Sequence, residues 1–182
     1  RQLIAAKSVS VWLKADVEAL GHAVVDNFAI QVPSQEMTGP GDHHARYLPQ
    51  ILQVCAELAD RVEAGMEAGR FPIVLGGDHS VAIGTITGIS RFWRKRNKRV
   101  GVVWVDAHTD MNTPDSSPSG NVHGMPLAAL MGLPPVELGN LYGFSPQVQP
   151  ENCALVGIRD VDPFEKEHIR KSGVDVFTMR SE

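Results

Sequence analysis

Residues 100–110 read VGVVWVDAHTD, an apolar run that ends in three ionisable side chains. A continuous apolar run of this kind is typical of a buried strand in a parallel sheet. Because side chains alternate along an extended backbone, Asp106, His108 and Asp110 are expected to project into one crevice at the end of the strand. Each ionisable group there would need a partner to offset its desolvation, and a shared metal ion is one such partner.

Apolar and periodic segments alternate on both sides of this strand, which predicts an α/β fold with a mainly parallel sheet covered on both faces. Further strands are predicted at 23–30, 71–75, 153–157 and 174–177. Helices are predicted at 13–20, 47–67 and 81–93, after Pro126, and at 163–170.

The turn GGDHS at residues 76–80 follows one of these predicted strands. Paired glycines permit a tight turn and a close backbone approach, and His79 offers a ring nitrogen to a metal. The alternative is a glycine turn in which Asp78 or Ser80 caps the next helix.

The DAHTD cluster at residues 106–110 is the stronger candidate for a metal site. Carboxylates with some imidazole suit Mn²⁺ or Mg²⁺, and the absence of thiolate disfavours a structural zinc. The alternative is a hydrogen-bonded loop entry with no ligand.

Two further polar clusters follow the predicted sheet. The loop at 111–124 carries Asn112, Ser119 and His123, which are suited to holding a polar substrate or transferring protons, although such composition is also typical of a solvated loop. The segment 159–165 carries carboxylates that could bind a cationic substrate. Alternatively, Asp162 caps the helix begun by Pro163 and Glu165 completes its first turn.

Composition limits the class of protein. With 182 residues and 17 basic against 21 acidic side chains, the chain is expected to form one domain with no nucleic acid or membrane as its main partner. Cys55 and Cys153 do not form a disulfide framework, so a reducing cytoplasm fits best. The pair His43-His44 is interpreted as part of a polar loop, and the basic run at 91–99 as a solvated connection rather than a nucleic-acid site.

The clusters, in this order, resemble the arginase branch of the ureohydrolase family. The match runs over most of the chain, from GGDHS at 76–80 through VDAHTD at 105–110 to GIRDVDP at 157–163. The resemblance implies a three-layer α/β/α fold, a site for two Mn²⁺ ions, and hydrolysis of L-arginine to L-ornithine and urea.

The resemblance also implies roles for residues that match the family's motifs. His79, Asp106 and Asp110 match ligands of one manganese, and His108 matches a ligand of the other, with Asp106 bridging the pair. A hydroxide that bridges the two ions would attack the guanidinium carbon, and Asp110 would help to orient it.

Other matched residues concern the proton and the substrate. His123 matches the family's proton-shuttling histidine. Asn112 and Ser119 match residues that bind the substrate α-carboxylate. Asp160 and Asp162 match acidic residues that hold the α-amino end, and Glu165 matches a carboxylate that supports that contact.

Arginase is favoured over agmatinase because agmatine lacks the α-carboxylate that Asn112 and Ser119 would bind. A metallophosphoesterase also uses Asp-x-His at a strand end, but it would place that motif before the Gly-Asp element, the reverse of the order here. A non-catalytic family member that acts by binding is the remaining alternative.

The resemblance further implies elements that lie outside this sequence. A later Asp-x-Asp motif, a later glutamate and the family's first strand are absent. We therefore expect residues 1–182 to be a single arginase-like catalytic domain that is an internal fragment of a longer one, with weak metal binding and little activity by itself. When full length, such a protein is expected to be a homo-oligomer, either a trimer or a hexamer.

Overall fold

Three parallel strands form the sheet in this computed structural model, which describes residues 2–26, 29–34 and 36–179. They are β1 (Val102–Val105), β2 (Cys153–Ile158) and β3 (Asp175–Thr178), in the order β1-β2-β3. Trp104 of β1 lies opposite Leu155 of β2, which lies opposite Val176 of β3. The sequence predicted all three strands and their parallel direction, and both predictions are confirmed.

Helices precede and connect these strands, as the alternation of patterns predicted. They are α1 (Gln2–Ala19), α2 (Leu48–Glu67), α3 (Val81–Arg94), α4 (Pro126–Leu130), α5 (Val136–Gly139) and α6 (Pro163–Ser172). Two short 3₁₀ helices occupy Val122–Gly124 and Pro150–Asn152. Among the described residues, no helix is both long and apolar enough to cross a membrane.

Local signals explain where α6 begins and ends. The Asp162 side chain accepts a hydrogen bond from the backbone N–H of Glu165, and the Glu165 carboxylate accepts one from the backbone N–H of Asp162. This capping box satisfies two N–H groups that have no partner within the helix. Gly173 then ends the helix with φ 74°, a left-handed conformation that glycine adopts at little cost.

The main core lies against one face of the sheet. Trp104 and Leu155 point into it, and Met111 and two leucines of α4 pack against them. On the opposite face Val103 and Val105 are 71% and 74% exposed. In the part of the chain that the structure describes, no helix covers these two side chains.

Two predicted strands are not part of the sheet. Residues 71–75 are irregular, and Phe71 is 89% exposed, because no described segment pairs with this apolar stretch. In the predicted strand at 23–30, residues 23–26, 29 and 30 are irregular, and residues 27 and 28 lie outside the described residues. The apolar run thus predicted an extended backbone, but it did not predict whether a neighbouring strand would form hydrogen bonds with it.

Helices α2 and α3 pack closely because glycines of α3 face the backbone of α2. A Cβ added at Gly88 would lie 2.5 Å from the Ala59 carbonyl oxygen and 2.9 Å from Cβ of Val62. We expect Gly88→Ala to lower the free energy of unfolding by about 2 kcal/mol, the usual cost of overpacking a core. Gly65→Ala is the matched control, since nothing lies within 4 Å there. Gly65→Ala should raise the free energy of unfolding by up to about 1 kcal/mol, because alanine has the higher helix propensity. Urea unfolding measures both variants, and changes of opposite sign would bear out the close packing at Gly88.

Candidate metal centre

The polar clusters converge at the carboxyl edge of the sheet. Asp106 follows β1 directly, and Asp160 follows β2 after one intervening residue. The backbone N–H groups of Arg159 and Asp160 both donate to the Ala107 carbonyl oxygen, at 2.9 and 3.0 Å. The two segments that leave the sheet are thereby held side by side. Parallel sheets bind their ligands at this edge.

His79, Asp106 and Asp110 form the centre of this site. The Nδ1 atom of His79 lies 2.9 Å from Asp106 Oδ2 and 2.7 Å from Asp110 Oδ2. One ligand atom from each of the three residues lies within 4.8 Å of the others. The His79 ring stacks on Trp104 of β1, with ring centroids 4.3 Å apart, which positions the imidazole above the core. The site thus joins the turn before α3 to the end of β1.

Asp110 reaches this position through an unusual backbone conformation. Its φ is 51°, in the left-handed region that aspartate tolerates better than most residues. Its carbonyl oxygen accepts hydrogen bonds from the N–H groups of Leu127 and Ala128 in the first turn of α4, at 3.1 and 3.2 Å. The chain therefore turns at Asp110, and α4 holds that turn in place.

The two carboxylates have different acidities. Burial raises the pKa of Asp110 to about 7, and the negative charges of Asp106 and Glu165 add to the effect. Burial acts in the same direction on Asp106, but the backbone N–H of His108 and the nearby charge of His79 together lower the pKa of Asp106 below its usual value. Two carboxylates that share a largely buried site repel each other, and a bound cation would remove that repulsion.

The protein alone does not satisfy the polar atoms of this cluster. Asp110 Oδ2 is buried and accepts no hydrogen bond of good geometry from a described residue. Its close neighbour is the ring nitrogen of His79, which carries at most one hydrogen and also faces Asp106. The imidazole nitrogen of His79 and one carboxylate oxygen each from Asp106 and Asp110 form a donor set that fits a divalent cation such as Mn²⁺.

His108 lies at the rim of this centre. Its Nδ1 is 3.4 Å from Asp106 Oδ1, and its Nε2 is 3.6 Å from Asp160 Oδ2. The imidazole is more than half exposed, so it is open to solvent and to a ligand. His108 therefore connects Asp106 to the segment that follows β2.

A second group links the loop after Asp110 to the start of α6. The Asn112 side chain donates from Nδ2 to Asp162 Oδ2 at 2.9 Å, and its Oδ1 accepts from Ser116 at 2.8 Å. Glu165 is buried, and its Oε1 accepts from the Thr109 hydroxyl at 2.7 Å and from the Met111 backbone N–H at 3.1 Å. Asn112, Asp162 and Glu165 thus form one hydrogen-bonded unit beside Asp110.

Ser119 and His123 lie apart from these contacts. The Ser119 hydroxyl accepts a hydrogen bond from the Asn121 backbone N–H at 3.2 Å, and Ser119 is exposed. His123 is exposed in its short 3₁₀ helix and makes no side-chain hydrogen bond or ion pair with the described residues. The structure therefore brings together eight of the ten sequence-predicted site residues and leaves these two facing solvent on the same loop.

The segment at 42–46 holds that loop. Arg46 donates its backbone N–H to the Gly120 carbonyl oxygen at 2.9 Å, and His44 Nδ1 lies 3.3 Å from the Pro114 carbonyl oxygen. His43-His44 belongs to no metal-binding group among the described residues. Both histidines lie in a loop, as their polar surroundings predicted.

Gly120 is the tightest point of this contact. Its φ is 67°, and an added Cβ would overlap the His43 carbonyl oxygen. We expect Gly120→Ala to lower the free energy of unfolding by about 3 kcal/mol, since left-handed strain and overpacking each cost 1–3 kcal/mol. Gly39→Ala, where nothing lies within 4 Å, should change it by less than about 0.5 kcal/mol. Chemical denaturation measures the free energy of unfolding of each variant. Equal changes in the two variants would contradict the close contact between Gly120 and His43.

Sequence reasoning missed residues that position the centre. Thr109 is buried against Glu165, Trp104 stacks on His79, and His168 Nδ1 lies 2.7 Å from the Met111 carbonyl oxygen. Thr109 is a polar residue within a cluster of ionisable ones, and the sequence alone could have marked it as a candidate for the site. The position of His168 gave none, because its partner lies 57 residues away in sequence.

The chain is similar in sequence to known proteins of one family. A sequence model described as "Arginase family" matches residues 2–181. The arginase of Bacillus caldovelox is 41% identical over 167 residues, which make up 92% of this chain and 52% of that protein. The arginase of Brevibacillus brevis is 44% identical over 165 residues, 91% of this chain and 54% of that protein. The chain thus spans about half the length of the curated relatives it matches.

A solved structure shows the same fold. The crystal structure of arginase from Bacillus cereus superposes with a TM-score of 0.81 at 45% identity, over 90% of this chain and 53% of that one. The predicted arginase-like α/β fold is confirmed by this likeness. The family model matches nearly the whole chain, and relatives at more than 40% identity share its sequence. The chain therefore belongs to the arginase family.

Proposed function

We propose that the protein hydrolyses the guanidinium group of L-arginine, giving L-ornithine and urea, with Mn²⁺ as its metal. The observation that carries the proposal is the cluster of His79, Asp106 and Asp110 at the carboxyl edge of the sheet of an arginase-family chain. Support for the product comes from Entamoeba histolytica arginase, whose crystal structure contains L-ornithine. That chain is 42% identical, with a TM-score of 0.72 over 82% of this chain and 48% of its own length.

The residues of this chain that would hold the metal are His79, Asp106, Asp110 and His108. The buried, unsatisfied Oδ2 of Asp110 and the raised pKa of its carboxyl group support this assignment. Two Mn²⁺ ions, when bound, supply Lewis-acid activation of a water molecule at neutral pH. The positions of these four side chains in the fold would determine where that water reacts.

Residues on the loop and on α6 are proposed to bind and orient the substrate. Asn112 and Ser119 would donate hydrogen bonds to the α-carboxylate, and Asp160 and Asp162 would hold the α-amino group. The 2.9 Å hydrogen bond from Asn112 to Asp162 supports this proposal, because it brings a donor and an acceptor next to each other. Glu165 would act through its neighbours, because its carboxylate already accepts hydrogen bonds from Thr109 and Met111.

His123 is proposed to carry a proton between solvent and the departing amino group. Its exposure on the loop is compatible with this task, because a proton shuttle must reach water. An imidazole ring can both accept and release a proton, which is the chemistry that a shuttle requires. Asp110 would hold the attacking water through its carboxylate.

The protein is further proposed to act as a homo-oligomer in the cytoplasm. The free, buried thiols of Cys55 and Cys153 support a reducing compartment. Burial raises the pKa of each thiol to about 11, so neither is a reactive thiolate at neutral pH.

The experiment is urea release by the intact protein that contains this chain, loaded with Mn²⁺ and given L-arginine or agmatine in parallel. Urea from arginine alone is the expected result. Urea from agmatine alone would make the protein an agmatinase and overturn the role given to Asn112 and Ser119. Saturable binding of arginine without urea would assign a non-catalytic role and overturn the proposed activity.

A further inference from the structure

A cavity lies at the opposite edge of the sheet from the metal centre. It has a volume of about 270 Å³ and is formed where α3 ends and where β1 and β2 begin. Its polar lining consists of Ser90, Arg94, Lys98, Arg99, Gln147, Gln149 and Asn152. None of these residues belongs to the candidate metal centre, so the cavity needs its own explanation.

The three basic residues of the cavity have no ion-pair partner in the part of the chain that the structure describes. Arg94, Lys98 and Arg99 form no ion pair with any described carboxylate, although Arg94 packs over the Phe144 ring. The neighbouring cations of α3 differ. Arg91 pairs with Asp60 and Glu63 at 2.7 and 2.8 Å, and Lys95 with Glu63 at 2.8 Å. Positive charge is therefore neutralised on one side of Arg94 and left available on the cavity side.

Two amide groups in the cavity lining also have unsatisfied atoms. Gln147 is only 4% exposed, and its Oε1 is buried without a partner among the described residues. The orientation of this amide is fixed, because its Nε2 donates to the carbonyl oxygens of Gly139 and Phe144, both at 2.9 Å. Asn152 Nδ2 is likewise buried without an acceptor. A buried amide atom without a partner costs about 1–3 kcal/mol, which a ligand with complementary groups would recover.

We propose that this cavity binds a phosphate group, either as free phosphate or as a small monoester. Arg94, Lys98 and Arg99 supply the positive charge, and arginine in particular matches the oxygens of phosphate. Asn152 Nδ2 donates to a further phosphate oxygen. Gln147 Oε1 accepts from the P–OH of a singly protonated phosphate or from a hydroxyl of the esterified alcohol, a contact that excludes a fully deprotonated anion such as sulfate.

The test is calorimetric titration of the intact, metal-free protein with inorganic phosphate, sulfate and glycerol phosphate at constant ionic strength. A chelator keeps the metal centre empty, so that phosphate cannot bind there through Mn²⁺. Phosphate is expected to bind at least about tenfold more tightly than sulfate, a factor that one good hydrogen bond supplies. Tighter binding of glycerol phosphate than of phosphate would assign a monoester, and the reverse would assign free phosphate.

The double variant Lys98→Gln, Arg99→Gln removes two charges from the cavity. Both side chains are exposed, so its thermal unfolding without phosphate should match the parent protein. Its Kd for phosphate should rise at least about tenfold. Arg96→Gln is the matched control, because Arg96 donates to the Phe92 carbonyl and stacks over the Phe92 ring outside the cavity. Equal weakening by the control, equal affinities for sulfate and phosphate, or no binding at about 10 mM would each overturn the proposal.

Discussion

Asp110→Asn is expected to abolish tight Mn²⁺ binding and to lower kcat/KM for urea release from L-arginine by ~10³-fold or more, because a lost metal ligand removes several kcal/mol of stabilisation of the transition state. Asparagine has nearly the same shape and tolerates the φ of 51° that Asp110 adopts, so the fold should survive. In the metal-free protein the same change should raise Tm, because a neutral amide ends the repulsion with Asp106 and Glu165.

The opposite signs of these two effects make the experiment specific. A residue with a purely structural role would lose stability and activity together, whereas a metal ligand gains stability without metal and loses affinity for it. Asp115→Asn is the matched control, since Asp115 is exposed on the same loop and forms no ion pair among the described residues. Metal analysis after gel filtration and differential scanning calorimetry give the two readouts. Unchanged Mn²⁺ content in Asp110→Asn would refute the assigned site.

The fold was predictable where a strand has its neighbours within the described residues. Strands β1, β2 and β3 are short apolar runs that pair with one another, and each was visible in the sequence. The run at 71–75 has the same composition, yet Phe71 and Ile73 remain exposed because no described strand lies beside them. An apolar composition indicates that a segment can be buried. Whether that segment pairs with another strand depends on residues that are distant in sequence.

The site was predictable as far as the alternation of side chains extends. Asp106, His108 and Asp110 were expected to project into one crevice, and Asp106 and Asp110 do meet at His79. His108 is more than half exposed at the rim of the centre, where it lies beside Asp106 and also reaches toward Asp160. The left-handed backbone at Asp110 ends the extended geometry, so strict alternation no longer holds there. A local pattern could not predict that turn, which the first turn of α4 stabilises.

Asp162 and Glu165 show that a structural and a functional interpretation of one motif need not exclude each other. Their capping box was the structural alternative, and it is present in α6. The same Glu165 carboxylate also accepts hydrogen bonds from Thr109 and Met111, on either side of Asp110. The spacing of three residues predicted the cap. The contact with residues more than fifty positions away required the folded chain.

Glu165→Ala is expected to lower the free energy of unfolding by about 4 kcal/mol, because it leaves the Thr109 hydroxyl and the backbone N–H groups of Met111 and Asp162 without their acceptor. Glu165→Gln keeps the shape and one acceptor oxygen, so it should cost about half as much. Since Thr109 and Met111 flank Asp110, both variants should also weaken Mn²⁺ binding, by about 10- to 100-fold, as expected when the support of a ligand is lost.

Glu167→Ala separates this effect from a general weakening of α6. Glu167 is exposed two positions along the same helix and pairs with Lys171 at 2.6 Å, and a surface ion pair of this kind contributes little to stability. Urea unfolding and Mn²⁺ titration should therefore place Glu167→Ala close to the parent protein in both measurements. If Glu165→Gln lost stability but kept its Mn²⁺ affinity, the carboxylate would be only a helix cap. Loss of both would make Glu165 a positioning residue, through which the start of α6 holds the metal-binding turn.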